Sequence, residues 1–314
     1  FQVLVSGHLQ TSLYVFLAVF IYLAFKIPKA ISFKPFFLII FSAFCGTLIA
    51  SPQLLPTLEF INLSNRTFDQ GFFPGRQDWF LPAQNLIQIV APDFFGNPAT
   101  YNYWGIWNYI EFVSFVGIFP LGFALFSILR PAKEKAYFLL LGTVALLMAL
   151  ENPISKIPYE LKLPLFSSMQ PSRIIFLLIF SLVSLCAYGL DEFLKAGKKK
   201  ILGLLSPVII VFFTLLLILA TQFLRYRFPY NLSLDPAGIA LRNLAIPFLT
   251  ASILFVIFVI NHLNLLNKKT LIALIFTLTI FELFRFSYKL TPFSKNEIVF
   301  PQTATTNFLI SRQK

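Results

Sequence analysis

The longest stretch of this 314-residue chain that is not dominated by apolar residues runs from Thr57 to Ile110: TLEFINLSNRTFDQGFFPGRQDWFLPAQNLIQIVAPDFFGNPATYNYWGIWNYI. Apolar segments long enough to cross a bilayer flank it on both sides. Loops longer than about 15 residues inside a compact protein are usually functional or disordered. This loop holds all three Trp of the chain, and such an aromatic-rich composition disfavours disorder. We therefore expect a folded cap over a membrane-embedded cavity.

The composition excludes a soluble domain. Hydrophobic residues make up 57% of the chain and charged residues only 12%, and the mean hydropathy is +0.78. Soluble domains are about half apolar and about a quarter charged. The net charge of +12 could suggest a nucleic-acid partner, but the basic residues gather in short segments between apolar runs and form no stripe. An integral membrane protein without a nucleic-acid partner is therefore predicted.

Hydropathy predicts about eight transmembrane helices, because about 20 apolar residues are needed to cross the hydrocarbon core. The predicted segments are Leu9–Phe25, Pro35–Leu55, Ile110–Leu129, Ala136–Leu150, Arg173–Leu190, Ile201–Thr221, Leu244–Leu263 and Thr270–Phe286. The fold class predicted is thus all-α and polytopic, with a transmembrane domain over 1–290 that includes the extracytoplasmic loop 57–110. Residues 291–314 are expected to begin an extracytoplasmic C-terminal region.

The distribution of Lys and Arg predicts the orientation. Alternate connections, at 26–34, 130–135, 191–200 and 264–269, hold 12 of the 25 basic residues. These connections are short, and basic residues in short loops mark the cytoplasmic side of a membrane. The long loop and both ends of this chain are therefore expected to face outward.

Polar residues at the outward helix ends are the candidate site residues, because polar groups near hydrocarbon are costly. His8 and Gln10 begin the first segment, where they either cap a helix or contribute to a phosphate or sugar site. Glu59 follows the Pro52 and Pro56 interruption of the second segment, and it is either a site carboxylate or a simple interfacial charge.

Further candidates lie in the long loop and before the fifth segment. Arg76, Asp78 and Asp93 would hold a ligand or staple the loop by ion pairs, since Arg binds phosphate bidentately and carboxylates hold divalent ions. Arg173 follows Pro171 and Ser172, and it either binds an anion at the helix start or extends to the lipid headgroups. We expect Arg173 to lie near His8 and Glu59.

Several motifs together resemble the YfhO-type bacterial membrane proteins. They are Gly7–Thr11, Gln53–Glu59, Pro92–Gly96, Tyr103–Gly105 with Phe115–Leu121, Pro171–Arg173, Tyr188–Asp191, Glu282–Phe284 and Phe300–Thr303. Leu9 stands where that family usually has Pro. The family is similar to the GT-C glycosyltransferases, which transfer a sugar from a polyprenyl-phosphate carrier to an acceptor on the outer face of the membrane. The implied acceptor is a cell-envelope glycopolymer such as teichoic acid, and the implied location is the bacterial cytoplasmic membrane.

The resemblance also implies roles for the candidate residues. Arg173, Arg76 and Arg66 would balance the charge of the leaving lipid phosphate, with His8 and Gln10 as hydrogen-bonding partners. The candidates for the catalytic carboxylate are Glu59, Asp78 and Asp93, which could instead orient the acceptor or hold a divalent cation; no other cofactor is expected. The usual catalytic acid of such enzymes lies in an earlier outward loop, which we expect upstream of this sequence.

Two other functions remain open at this point. A transporter or flippase of lipid-linked sugars would use the same cavity without chemistry, although no internal repeat is evident. A non-catalytic membrane scaffold would use the outer loop to bind an envelope partner.

Overall fold

The computed structural model describes residues 1–26, 34–64, 79–106, 108–130, 132–163, 169–195, 235–263 and 265–290, together with 295, 299 and 301–312. Helices dominate these residues and no strand occurs among them, which confirms the all-α class. A single isolated parallel bridge joins Leu81 and Leu150 within this part of the chain.

The described residues form twelve α-helices: α1 Gln2–Val5, α2 Leu9–Lys26, α3 Lys34–Ile49, α4 Ser51–Leu63, α5 Tyr109–Phe112, α6 Ile118–Ile128, α7 Ala136–Ala149, α8 Pro153–Glu160, α9 Ile175–Lys195, α10 Pro236–His262, α11 Lys268–Ser287 and α12 Ala304–Arg312. They also form four 3-10 turns, at Ala83–Ile89, Pro98–Thr100, Lys133–Lys135 and Pro171–Ile174.

Three stretches of the described chain are long and apolar enough to cross a membrane. They are Pro171–Lys195, which joins the last 3-10 turn to α9, Pro236–Asn261 in α10, and α11. Helices α3 and α4 would add a fourth span if the pair crosses together, and α2 and α6 are apolar but shorter. The predicted segment Ile201–Thr221 lies outside the described residues. Eight spans are therefore not confirmed.

Helix α9 is the centre of the packing and contacts both α6 and α7. Its buried residues recur at three- and four-residue spacing, as expected for a helix with one face toward a core. Near its end, a Cβ added to Gly189 would lie 2.0 Å from the carbonyl oxygen of Phe123 in α6. Only glycine allows the two backbones to approach this closely.

The predicted third span, Ile110–Leu129, is wrong as a single helix. Helix α5 ends at Phe112, and α6 begins only at Ile118, after a non-helical connection. The break is stabilised from a distant part of the chain, because the carboxylate of Glu282 in α11 accepts the backbone N–H of Ile118 at 2.9 Å. Gly117 precedes that N–H with φ +93°, a conformation that favours glycine.

The predicted second span, Pro35–Leu55, is also interrupted. The chain bends by 70° between α3 and α4, at Ala50, and helix then continues to Leu63. The first seven residues of the predicted loop are therefore helical. Pro52 lies in the first turn of α4, where a missing N–H costs least.

Residues 79–106 of the loop are folded onto the helix ends. Trp79 and Phe80 are buried against Tyr159 of α8, with ring centroids 5.9 and 5.6 Å from its ring. The N–H of Leu81 donates to the carbonyl of Ala149 at the end of α7, at 2.8 Å. This part of the loop is thus ordered by packing and backbone hydrogen bonds, whereas a cap over a cavity stays a prediction.

Two ion pairs lie near opposite ends of the Pro171–Lys195 helix. Arg173 pairs with Glu111 at its start, and Glu192 pairs near its end with Lys135, whose side chain is only 1% exposed. Glu192 follows Arg173 by nineteen residues, which corresponds to about 28 Å of helix. That length is close to the hydrocarbon thickness of about 30 Å. The two ion pairs are therefore separated along the helix by about one hydrocarbon thickness.

Candidate functional site

The candidate site is built around Arg173, which lies in the 3-10 turn that leads into α9. Its Nε donates to Glu111 Oε2 at 2.9 Å and its Nη2 to Glu111 Oε1 at 2.8 Å. Planar guanidinium and carboxylate groups match in this two-bond arrangement, which fixes the orientation of both. The two side chains are 34% and 20% exposed, so the pair is reachable from solvent.

His8 and Gln10 complete the cluster, as two of the residues that the sequence predicts for a phosphate or sugar site. Nη1 of Arg173 lies 3.2 Å from His8 Nε2 and donates to Gln10 Oε1 at 3.3 Å. On the other side of the ring, His8 Nδ1 accepts the backbone N–H of Thr11 at 3.2 Å and lies 2.9 Å from Thr11 Oγ1. These contacts hold the imidazole at the start of α2, beside the guanidinium.

A second set of hydrogen bonds holds the start of α2 against the start of α9. Gln10 Nε2 donates to the backbone carbonyl of Gln170 and, at 2.9 Å, to the hydroxyl of Tyr14. The Tyr14 hydroxyl in turn donates to the same carbonyl at 3.3 Å. Gln10 therefore has a fixed side-chain position when it accepts from Arg173.

Helix α5 connects this cluster to a second polar network. Glu111 contacts Arg173, while Tyr109, two residues earlier, is fully buried and donates its hydroxyl to Asp93 Oδ1 at 2.9 Å. Asn108 caps the helix by accepting the N–H of Ile110. Since α5 has only four residues, the position of Glu111 depends on the anchoring of Tyr109.

Asp93 is the centre of that second network. Its Oδ1 accepts from Asn97 Nδ2 at 2.8 Å as well as from Tyr109, and its Oδ2 pairs with Lys289 Nζ at 2.7 Å. Its backbone carbonyl accepts from Asn243 of α10, and the side chain is 8% exposed. These contacts favour a positioning role for Asp93. The catalytic role predicted for its carboxylate is not tested by them and stays a prediction.

Two phenols beside this network hold their protons. Burial raises the pKa of Tyr103 to about 12. Burial, followed by the nearby negative charge of Asp93, raises the pKa of Tyr109 above its usual value. Tyr109 therefore remains a hydrogen-bond donor to Asp93 at physiological pH.

Among the described residues, Glu59 is a predicted site residue that does not join the Arg173 cluster. Glu59 is exposed on α4, and it is not among the residues that contact Arg173. Arg66, Arg76 and Asp78 lie outside the described residues. Within the described part of the chain, no group of three or more His, Cys, Asp or Glu side chains is arranged to hold a metal ion. The predicted divalent cation is left untested.

Glu111 is a site residue that the sequence analysis does not predict. It was visible in the sequence as an isolated acid directly before an apolar run, a position where a charge near hydrocarbon is costly. Its partner is 62 residues further along the chain. The spacing of the motifs therefore could not indicate the pair.

Comparisons with family models, with curated proteins and with solved structures found no match to this chain. The chemistry of the cluster is therefore inferred from its geometry. A cation, two hydrogen-bonding side chains and a carboxylate lie together at one end of an apolar helix bundle, and this arrangement suits an anionic ligand with an apolar tail.

Proposed function

We propose that this chain belongs to a YfhO-type, GT-C-like glycosyltransferase of the bacterial cytoplasmic membrane. It would transfer a sugar from a polyprenyl-phosphate carrier to a cell-envelope glycopolymer on the outer face. The proposal includes about eight membrane spans, with the loop 57–110 and both ends of the chain outside.

The observation that carries the proposal is the position of Arg173. It lies where the central apolar helix begins, it is partly exposed, and His8 and Gln10 are beside it. A lipid phosphate needs an apolar surface for its chain and a cation for its head, and Arg is the side chain best suited to hold a phosphate by two bonds. Both requirements meet at this end of α9.

In the proposed reaction a carboxylate takes the proton of an acceptor hydroxyl. The hydroxyl oxygen then bonds to the anomeric carbon of the sugar, and the bond from that carbon to the phosphate oxygen breaks. The carrier leaves as a polyprenyl phosphate with one more negative charge, which Arg173 balances together with hydrogen bonds from His8 and Gln10.

The bend between α3 and α4 favours flippase activity as a second candidate function. Interrupted membrane helices often surround the substrate site of transporters. The 70° break at Ala50 is such an interruption. A flippase would move the lipid-linked sugar across the membrane and leave its glycosidic bond intact.

Replacing Arg173 with Ala in the full-length protein tests the proposal. Arg242→Ala is the matched control, because Arg242 is exposed on α10. We expect Arg173→Ala to abolish sugar transfer while the donor lipid still reaches the outer leaflet, and Arg242→Ala to retain transfer. Loss of lipid movement in Arg173→Ala would instead establish the flippase, and unchanged transfer and movement would favour the scaffold.

A further inference from the structure

We infer that Glu111 is an internal counter-ion that occupies the place of the lipid phosphate on Arg173 and is displaced when that phosphate binds. The inference rests on the proposed function, which supplies the phosphate ligand. It assigns Glu111 as a positioning residue that acts through Arg173.

The first reason is that four of the five guanidinium N–H groups already face a partner, which leaves one. Glu111 takes Nε and Nη2, while His8 and Gln10 both face Nη1. A phosphate cannot gain two parallel hydrogen bonds from Arg173 unless one of these partners leaves. The carboxylate is the partner whose two bonds have the geometry that a phosphate would reproduce.

The second reason is charge balance. Arg173 and Glu111 supply one guanidinium and one carboxylate to the cluster. The sugar-linked carrier is a phosphodiester with a single negative charge, so it can replace Glu111 without changing the net charge around Arg173. A phosphomonoester such as farnesyl phosphate carries at least as much negative charge and competes for the same place. Binding in addition to Glu111 would place two anions against one cation, a repulsion that partial burial makes worse.

The third reason is that the Glu111 side chain can rotate into solvent while its backbone stays anchored. Its side chain is 20% exposed, so a rotation about its own bonds can bring the carboxylate into water. Its backbone is held at α5 by the buried Tyr109 and the bond of that residue to Asp93. The displaced carboxylate therefore remains beside the bound phosphate.

Calorimetric titration of the full-length protein with farnesyl phosphate in detergent micelles tests the inference. We expect Glu111→Gln to bind about tenfold more tightly than the wild type, because the amide no longer competes as an anion for Arg173. Glu111→Asp keeps the charge but shortens the side chain, so it should bind with intermediate affinity. Arg173→Gln should lose binding, and Glu151→Gln, which changes an exposed carboxylate in an ion pair with Lys156, should match the wild type.

The outcomes separate this inference from the proposed function. If Arg173→Gln loses binding but Glu111→Gln binds no better than the wild type, the counter-ion role is overturned and the phosphate site stands. If neither the wild type nor Glu111→Gln binds farnesyl phosphate, both the counter-ion role and the proposed phosphate site are overturned. Intact binding without sugar transfer would overturn the proposed enzyme alone.

Two further titrations identify the source of the phosphate. Farnesol lacks the phosphate, and binding as tight as that of farnesyl phosphate would overturn the inference. Inorganic phosphate lacks the chain, and an equal affinity would assign the site to free phosphate and overturn displacement by a lipid. We expect farnesyl phosphate to bind more tightly than either.

Discussion

Gly189→Ala should destabilise the bundle, because the new methyl group would occupy space held by the backbone of α6. The added Cβ would lie 2.0 Å from the Phe123 carbonyl oxygen and 2.8 Å from its carbonyl carbon. Carbon and oxygen atoms pack at about 3.5 Å, so α9 and α6 would have to separate by about 1.5 Å. Such overpacking costs about 3 kcal/mol, against a gain of about 1 kcal/mol in helix propensity. We expect a net loss of about 2 kcal/mol.

Gly142→Ala is the matched control for this prediction. Gly142 also lies inside a helix of the bundle, but its nearest neighbour would be the Ser181 Cβ at 3.1 Å. A shift of a few tenths of an ångström between α7 and α9 relieves this contact, so the stability should stay within about 1 kcal/mol of the wild type. Denaturant unfolding in detergent micelles, followed by Trp fluorescence, measures both variants. Equal stability of the two would refute the close approach of α9 and α6.

Three further predictions concern buried and partly buried polar groups. Asp93→Asn should lower the stability by about 2 kcal/mol, because Lys289 loses its carboxylate partner; denaturant unfolding that shows no loss would contradict the network. Because the pKa of Tyr103 is raised in the folded state, the contribution of this phenol to the free energy of unfolding is complete below about pH 10. That contribution should be lost as the pH rises toward about 12. Tyr103→Phe should therefore flatten the alkaline decline in melting temperature. Lys135→Met should lower the stability by about 2 kcal/mol, because it leaves the Glu192 carboxylate without its partner. Adding Glu192→Gln should reduce this loss, since it removes the unpaired charge. A double-mutant cycle without coupling would contradict the ion pair.

The sequence predicts the helical class well because apolar segments dominate its composition. The predicted alternation of the basic connections also puts the starts of the first and fifth segments on the same side, which agrees with the contact between His8 and Arg173. Direct contact between these residues requires the tertiary structure, in which Arg173 reaches both His8 and Gln10. The role of the cluster stays a prediction.

The break in the segment 110–129 shows what the sequence alone could not provide. Its residues are apolar throughout most of their length, so hydropathy favours one continuous helix. Glu282, which lies 164 residues after Ile118, stabilises the interruption by accepting the N–H that begins α6. A contact from a distant side chain thus supports a local helix boundary, and hydropathy cannot indicate such a contact. The same break places Glu111 on a short helix of its own, where it meets Arg173.

We expect the Arg173 guanidinium to receive a lipid phosphate in place of Glu111. Electron cryo-microscopy of the full-length protein with a bound polyprenyl phosphate measures this directly. The account predicts phosphate oxygens about 3 Å from Nε and Nη2 of Arg173, with the Glu111 carboxylate turned away. Phosphate density elsewhere, with the Arg173–Glu111 pair intact, would contradict it.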